Sequence, residues 1–451
     1  MIADFSTDMK RAMDDLLHGP KFPNKDFVPG VTFGEVYRMA AWLRAALAEA
    51  PPEAVVCLAA DSKAIMAAAL LASLAGGPAL LLPYAFSAKA LLQLQETTGF
   101  TTAIADTARD FPDGTQVICP QSAGSAQIPV GPAALPQAEL LKIFTGGSTG
   151  TPQLWSKTAE NIFSEGFFLA RRYEVTERDC ILATIPPYHI YGFLFSVVLP
   201  LVSSATVISE TPSFPNEIVS VAKDREVTLL ASVPVHYRVL RDKKMALRLA
   251  FSSAGMLDRE DNEEFCRQNT AGVVEVYGST ETGGIATRNR SLGEEYFTPF
   301  PTIDWKIVEE RLAVHSPYVS PDLPVDAAGF FTAGDRVEAR GTGRFSLKGR
   351  ADTVTKVGGK RVDLEEINLL IKNDSGVTDC VVMALPEAGG RGHRIGALIQ
   401  GETVDTTTIQ KMLAESLEPY ALPRRIKKVD RIPVTTNGKY DWSAIVRLLE
   451  K

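Results

Sequence analysis

Six adjacent residues, Thr145, Gly146, Gly147, Ser148, Thr149 and Gly150, follow the apolar pair Ile143-Phe144 and precede Pro152. Side-chain-free positions let backbone N–H groups turn toward one anion, and three hydroxyls add donors, so the stretch has the composition of a phosphate-holding loop. It is not the Walker loop, which needs lysine after Gly150, where the chain has Thr151. An ordinary turn has the same composition, so partners must decide. Tyr277-Gly-Ser-Thr-Glu281 closes an apolar run with a ring able to stack a base, a glycine able to pass close to phosphate, a hydroxyl donor, and a carboxylate suited to Mg²⁺. Gly329-Phe-Phe-Thr-Ala-Gly-Asp335 sets a carboxylate after glycine, suited to two ribose hydroxyls and equally common in turns. Gly349-Arg-Ala-Asp352 lies where the texture of the chain changes and reads as a hinge or a linker. Val434-Thr-Thr-Asn-Gly-Lys439 puts a lysine on a glycine-preceded loop, ordinarily a solvated charge.

The elements that must carry these residues alternate. Apolar spacing predicts a helix over 31–49 with Thr32 as cap, stopped by Pro51-Pro52, then a strand at 53–59. Helices at 62–75 and 87–97 and strands at 79–82, 101–105 and 115–119 continue a βαβα rhythm, which implies parallel sheets covered by helices. Residues 123–136 read as a loose Ala/Gly/Pro/Ser connector. Beyond the loop, helices at 161–172 and 192–201 and strands at 180–185, 206–208, 228–233 and 272–276 predict a second α/β unit. From about Pro301 short alternating strands take over, and from Asp352 a compact segment with helices at 364–372 and 407–416 follows. The uncharged run 64–83 has the length of a membrane span, but Gly76-Gly77-Pro78 splits it into a buried helix and a buried strand.

The chain has 451 residues, beyond one comfortable core, so two or three domains are expected. With 45% hydrophobic and 22% charged residues it reads as a soluble globular protein. Lys+Arg 47 against Asp+Glu 54 gives a net charge of −7, which excludes a nucleic-acid-binding surface spread over the whole molecule. Cys57, Cys119, Cys180, Cys266 and Cys380 are scattered without a C-x-x-C, so zinc and a disulfide framework are not expected, and a reducing compartment is. Met1-Ile-Ala-Asp-Phe-Ser lacks a basic n-region and apolar core, so no leader is expected and a cytoplasmic location is.

Taken in order, the motifs resemble the adenylate-forming superfamily of acyl-CoA synthetases, firefly-type luciferases and nonribosomal adenylation domains, over nearly the whole chain from Thr32-Phe-Gly-Glu-Val to Lys439. Thr145-Gly-Gly-Ser-Thr-Gly-Thr-Pro is similar to the family's T-S-G-T-T-G-x-P-K, Thr158-Ala-Glu-Asn161 to T-H-x-N, and Tyr277-Gly-Ser-Thr-Glu281 to Y-G-x-T-E. Gly334-Asp335 matches T-G-D, Gly349-Arg350-Ala-Asp352 the hinge, Gly358-Gly359-Lys-Arg361-Val the thioester-side loop, and Pro433-Val-Thr-Thr-Asn-Gly-Lys439 the C-terminal P-x-T-x-x-G-K. Two positions depart: Gln153 stands where the family closes its loop with lysine, with Lys157 the nearest possible substitute, and Ala333 replaces the threonine of T-G-D.

The resemblance implies an α/β fold. A large N-terminal domain (1–351) would hold α/β subdomains and a small β-barrel-like part, followed by a small mobile α+β C-terminal domain (352–451). It implies two half-reactions: a carboxylate and Mg-ATP give acyl-adenylate and pyrophosphate, and a thiol then takes the acyl group. Two anions must meet in the first, so a cation has to bridge them, for which Lys439 is the candidate. Glu281 would hold Mg²⁺, Thr280 would donate to the α-phosphate, and residues 145–150 would hold the β- and γ-phosphates. Adenosine would stack on Tyr277 beside Gly278 and the Ser253-Ala254-Gly255 turn, its ribose held by Asp335 with Arg350. In the second half-reaction Gly358 and Gly359 would replace Lys439 at the adenylate.

Pro186-Pro-Tyr-His189-Ile-Tyr-Gly192 resembles the P-x-x-H-x-x-G of aryl and fatty acyl-CoA ligases, where the histidine borders the acyl pocket. No acid follows in Phe193-Leu-Phe-Ser-Val-Val-Leu to pair with an α-amino group, so an aryl or medium-chain fatty acid is expected. Its pocket would draw on Tyr191, Phe193, Phe195 and Gly283-Gly284-Ile285. No carrier segment follows Lys439, so the thiol is expected from CoA or the phosphopantetheine of a separate acyl carrier protein, drawn by Arg424, Arg425, Lys427 and Lys428. Two alternatives stay open: a nucleotide-binding member with impaired catalysis, motivated by Gln153, and a luciferase-like oxygenase, which no residue favours.

Overall fold

The computed structural model describes residues 2–51, 53–120, 130–145, 153–269, 272–351, 354–357, 360–386, 393–435 and 440–450. They divide into two compact units, 1–304 with 315–331, and 305–314 with 332–451.

The first unit is built on two sheets of one design. In the six-stranded sheet the spatial order is Gln116–Ile118, Thr102–Ala105, Val55–Ala59, Ala79–Leu82, Glu139–Thr145, Gln153–Thr158. Neighbours are parallel up to Glu139–Thr145, and Gln153–Thr158 returns antiparallel. In the seven-stranded sheet the order is Thr206–Val207, Cys180–Ala183, Leu229–Ser232, Leu249–Ser252, Val273–Ser279, Gly283–Asn289, Thr298–Pro299. It too is parallel up to a motif-bearing strand, Val273–Ser279, after which Gly283–Asn289 turns back antiparallel.

Parallel strands need crossovers, and helices supply them because their apolar faces cover the sheets. Phe33–Ala46 begins at Thr32 with the expected cap, a reciprocal box in which Glu35 N donates to Thr32 Oγ1 (3.2 Å) and Thr32 N to Glu35 Oε2 (2.7 Å). Lys63–Leu74 is buried all round and is followed by the strand Ala79–Leu82, as the glycine-proline break predicts. Ile218, Ala222, Tyr237, Leu240 and Phe265, from three helices, close over Leu182, Leu230 and Ala250 of the second sheet.

Two elements differ from expectation. A helix at Ile2–Leu17 precedes the first predicted one, burying Met9, Met13 and Leu17 at four-residue spacing. It ties down the described part of the connector: Ala133 N donates to Asp14 Oδ1 (2.8 Å) and Lys10 Nζ to Ala133 O (2.9 Å). The predicted helix at 192–201 spans Ile190–Phe193 and Leu199–Ser203, joined by a π-turn at Leu194–Val198 that adds a residue to the local repeat.

The second unit carries an antiparallel sheet in chain order, Asp304–Val308, Arg311–His315, Phe331–Ala339 and Phe345–Arg350, the outermost residues of which belong to the first unit. The hairpin Val354–Val357/Lys360–Asp363 follows, then a three-stranded sheet of Asp379–Pro386, His393–Gln400 and Arg425–Val429. Strand alternation splits the packing of that sheet. Ile395, Ala397 and Ile399 meet Ile367, Ile371, Ile409 and Leu413 on one face, and Val381, Leu385 and Leu398 meet Ile445 and Leu449 on the other. No helix among the described residues is long and apolar enough to cross a membrane.

Candidate active site

Four parallel neighbours of the seven-stranded sheet, Cys180–Ala183, Leu229–Ser232, Leu249–Ser252 and Val273–Ser279, end on one edge. Carboxyl ends of parallel strands are where open α/β sheets bind ligands, because the exit loops converge there. These exits carry His189, the helix Pro234–Leu240, the turn Ser253-Ala254-Gly255, and Thr280 with Glu281. Ser253 Oγ donates to Val276 O (2.9 Å), which sets the turn beside the strand bearing Tyr277. Ala254 holds φ +69°, a left-handed conformation rare for a residue with a β-carbon. The half-buried Tyr277 ring lies 5.7 Å from Phe297, centroid to centroid.

The tip of the Tyr277-bearing hairpin is cross-braced. Ser279 N donates to Thr282 Oγ1 (3.1 Å), Thr282 N donates to Ser279 Oγ (3.2 Å), and the two hydroxyls lie 2.8 Å apart. A β-carbon on Gly278 would fall 2.3 Å from Gly283 O, so only glycine lets the strands approach this closely. Ser320 N donates to Glu281 O (2.7 Å), while the Glu281 carboxylate carries no hydrogen bond among the described residues. A carboxylate beside the Thr280 hydroxyl is an oxygen-only donor set, which fits Mg²⁺ completing its shell with phosphate oxygens and water. Among the described residues there is no cluster of three or more His, Cys, Asp or Glu able to hold a metal unaided.

His189 caps the helix Ile190–Phe193, its ring 4.9 Å from that of Tyr188, which in turn meets Phe86 edge-on at 5.4 Å. Gly192 is wedged under this loop, where a β-carbon would lie 2.1 Å from Pro186 O. The apolar residues expected to wall an acyl pocket sit deeper than that. Phe193, Phe195 and Ile285 are buried, and Tyr191 donates its hydroxyl to Ser232 O (3.2 Å) and Phe251 O (3.0 Å). Aromatic packing holds them there: Phe195 meets Tyr191 edge-on and Phe251 at a tilt.

Two polar groupings had no signal in the sequence. Thr184 Oγ1 and Ser232 Oγ lie 2.7 Å apart, and His236 Nδ1 lies 2.9 Å from the first and 3.1 Å from the second. Both hydroxyls are buried, so each proton finds an acceptor only if Nδ1 accepts one of them, which puts the imidazole proton on Nε2. Burial pulls the imidazole down to about 4, so it is neutral at physiological pH. Lys157 and Glu165 are the second grouping. Lys157 Nζ donates to Tyr318 O (2.8 Å) and Glu281 O (3.1 Å), and Glu165 Oε1 accepts from Gly284 N (3.0 Å). Burial draws the lysine down and pushes the carboxyl up, each opposed by the charge of the other. Lys157 therefore points beneath the Glu281 turn. Gln153, where the lysine was expected, is exposed and pairs with Thr145 across the first hairpin.

In the second unit Asp335 and Arg350 face each other in register across an antiparallel pair, and an Arg350 guanidinium nitrogen lies 3.0 Å from where a β-carbon on Gly334 would stand. Ala333 is buried, its carbonyl accepting from Arg311 Nε (2.9 Å). Three residues of the basic run meet backbone carbonyls. Arg425 Nη1 donates to Leu449 O (2.7 Å), Lys427 Nζ to Leu448 O (3.2 Å) and Lys428 Nζ to Glu402 O (2.7 Å). The first two satisfy the last carbonyls of the helix Trp442–Glu450, which end without intrahelical partners. Gly146, Gly147, Ser148, Thr149, Gly150, Asp352, Gly358, Gly359 and Lys439 lie outside the described residues, and Thr145 is described as the last residue of its strand.

Two mostly parallel sheets that each end in a motif-bearing hairpin, with a smaller α+β unit, make up an α/β architecture of large and small parts. The family pattern described as AMP-binding enzyme matches residues 21–320, and that described as AMP-binding enzyme C-terminal domain matches 366–439; the chain belongs to this family. It is 23% identical over 339 residues to a sulfoacetate–CoA ligase of Cupriavidus necator, covering 68% of this chain and 67% of that one. It is 26% identical over 307 residues to a 4-coumarate–CoA ligase of Halorhodospira halophila, covering 66% and 74%. Among solved structures, ATP-bound MatB from Rhodopseudomonas palustris aligns with a TM-score of 0.82 at 18% identity over 97% of this chain and 98% of that one. AMP-bound O-succinylbenzoate coenzyme A synthetase from Bacillus subtilis aligns with a TM-score of 0.78 at 19% identity, covering 95% and 96%.

Proposed function

We propose that this protein is an AMP-forming acid–thiol ligase that activates a carboxylic acid without an α-amino group and passes the acyl group to a thiol. One observation carries the reading. Among the described residues the Glu281 carboxylate stands without a hydrogen bond on a cross-braced turn, at the sheet edge that also bears Tyr277 and the Ser253-Ala254-Gly255 turn with its left-handed Ala254. Its relatives named as ligases of sulfoacetate and 4-coumarate support the class of acid.

In the first half-reaction the carboxylate oxygen bonds to the α-phosphorus of ATP, and the bond to pyrophosphate breaks. Tyr277 and the Ser253-Ala254-Gly255 turn orient the adenine, Asp335 and Arg350 the ribose, and Thr280 the α-phosphate. Glu281 is the residue that would hold Mg²⁺, and the metal would supply charge neutralisation for the leaving pyrophosphate. Residues 145–150 receive the β- and γ-phosphates through backbone N–H groups, and Lys439 offsets the repulsion between the two reacting anions. In the second half-reaction the thiol sulfur bonds to the acyl carbon and AMP leaves. CoA is the acceptor preferred here, with a free acyl carrier protein as the other source of the same pantetheine thiol. Five cysteines without disulfide partners suit a reducing, cytoplasmic setting.

A panel of fatty, aryl and amino acids assayed for acid-dependent ATP–pyrophosphate exchange, with hydroxylamine trapping of the adenylate, tests this directly. Exchange with an aryl or fatty acid, and AMP release that then depends on CoA, is the expected result. ATP binding without exchange for any acid would turn the reading to a catalytically impaired nucleotide-binding protein, and oxygen consumption from the adenylate to an oxygenase.

A further inference from the structure

The strand Gln153–Thr158 returns from the phosphate loop, and its Lys157 is only 1% exposed. The ammonium meets two backbone carbonyls, one of them belonging to Glu281. On the helix that follows, Ala159–Arg172, Glu165 is 6% exposed and accepts from the amide of Gly284. The hairpin tip that aims the Glu281 side chain is thus held at two points, the Glu281 carbonyl by an ammonium and the amide of Gly284, just past the tip, by a carboxylate. The grip is tight: β-carbons on Gly283 and Gly284 would stand 3.0 Å and 2.7 Å from the two Glu165 oxygens. Tyr318, which also receives Lys157, lies two residues before Ser320, whose amide donates to the same Glu281 carbonyl. Ser156, next to Lys157, donates its amide to Asp322 Oδ2 (2.6 Å) at the far end of that segment.

Two buried charges that meet backbone groups rather than each other are poor ballast: each loses its hydration, and neutral residues of similar volume hold a fold as well or better. What a neutral pair cannot do is fix two points of a hairpin tip against the pull of a bound cation and a polyanion. We propose that Lys157 and Glu165 form an internal charged clamp that positions Glu281 for the metal–pyrophosphate group, a role distinct from contact with phosphate. The chain thereby carries its lysine four residues beyond the usual loop position and uses it through the backbone. This rests on the reading of Glu281 as the Mg²⁺ ligand, and makes Lys157 and Glu165 positioning residues rather than catalytic ones.

The test uses the full-length protein and the neutral double variant Lys157→Met/Glu165→Gln, with Glu165→Gln alone as the second variant should the double one fail to fold. ATP binding is measured by calorimetry with Mg²⁺ and with EDTA, pyrophosphate exchange as a function of Mg²⁺, and thioester formation from supplied acyl-adenylate. The expected result is a tenfold or greater loss of affinity for ATP with Mg²⁺ and a tenfold higher Mg²⁺ requirement in exchange. Affinity in EDTA and the thioester step should stay within about threefold, since neither draws on the metal site. An equal loss with and without Mg²⁺, an equal loss in both half-reactions, or wild-type behaviour throughout would overturn the clamp. Glu281→Gln run in parallel separates the two ideas. If it leaves Mg²⁺ dependence unchanged, the metal reading fails; if it shifts that dependence and the clamp variants do not, the clamp alone fails.

Discussion

The two hairpins that terminate the sheets of the first unit are built alike and filled differently. In each, a strand running parallel to its neighbours exits at the carboxyl edge, and the next strand returns antiparallel. The hairpin of Glu139–Thr145 and Gln153–Thr158 leaves residues 146–152 between its strands, a glycine- and hydroxyl-rich span suited to a large anion. The hairpin of Val273–Ser279 and Gly283–Asn289 leaves only 280–282, and hydroxyl–amide bonds brace that tip internally. A polyanion is best held by many N–H donors on a longer loop, whereas one carboxylate that must meet a small cation needs a short, stiff turn. Lys157 joins the two designs, since it sits on the returning strand of the first and donates to the tip of the second.

The largest effect expected from breaking this comparison comes from the short tip. Glu281→Ala should lower acid-dependent pyrophosphate exchange by about 10²–10³-fold, the scale of losing a preorganised electrostatic contact. Thioester formation from supplied adenylate should change little, and a parallel fall in both rates would mean that the two hairpins are not specialised. A control outside both hairpins is His236. Its folded imidazole stays neutral to about 4, whereas an unfolded one protonates near 6.5, so the unfolded state binds more protons below that pH. Stability should therefore fall as the pH drops from about 6.5 toward 4, by on the order of 3 kcal/mol from this group. His236→Asn should flatten that part of a denaturant-measured stability profile, whereas an unchanged slope would place the sensitivity elsewhere.

Smaller effects sharpen the contrast. Thr282→Val removes the hydroxyl that receives Ser279 N, and should cost about 1–3 kcal/mol in thermal or denaturant stability and raise the Mg²⁺ requirement. A loss of stability without a change in Mg²⁺ dependence would make the brace merely structural. Gln153→Lys should have the smallest effect, a several-fold lower Michaelis constant for ATP at most, because an exposed strand-end charge is screened by solvent. No change would show that the longer loop needs no lysine here.

Much of this is legible in the sequence. Thr32-Phe-Gly-Glu35 and Thr158-Ala-Glu-Asn161 are capping boxes in the fold, so one stretch recognised as a family motif proves to be helix-start chemistry. The alternation of apolar strands and helices over 53–118 appears nearly residue for residue, because hydrophobic periodicity is a local property. The basic run at 424–428 shows the complement. Its charge is visible in the sequence, but the backbone carbonyls of Leu448 and Leu449 that Lys427 and Arg425 meet are not. The apolar character of Phe193 and Phe195 is likewise legible in the sequence, whereas their full burial is set by packing alone.

By itself the sequence determined the family, through motifs in a fixed order, and the βαβ rhythm, because each motif and each apolar period depends on residues within a few positions of one another. The tertiary structure decided what Lys157 does. Its ammonium meets a carbonyl 124 residues away, and Gly284 N meets a carboxylate 119 residues away, contacts that no local pattern encodes. Thr184, Ser232 and His236 were likewise joined only when strands 48 residues apart came to lie side by side. Burial makes such partners obligatory, since a charge or hydroxyl taken from water must find another polar group in the fold, and the path of the chain determines which one it finds.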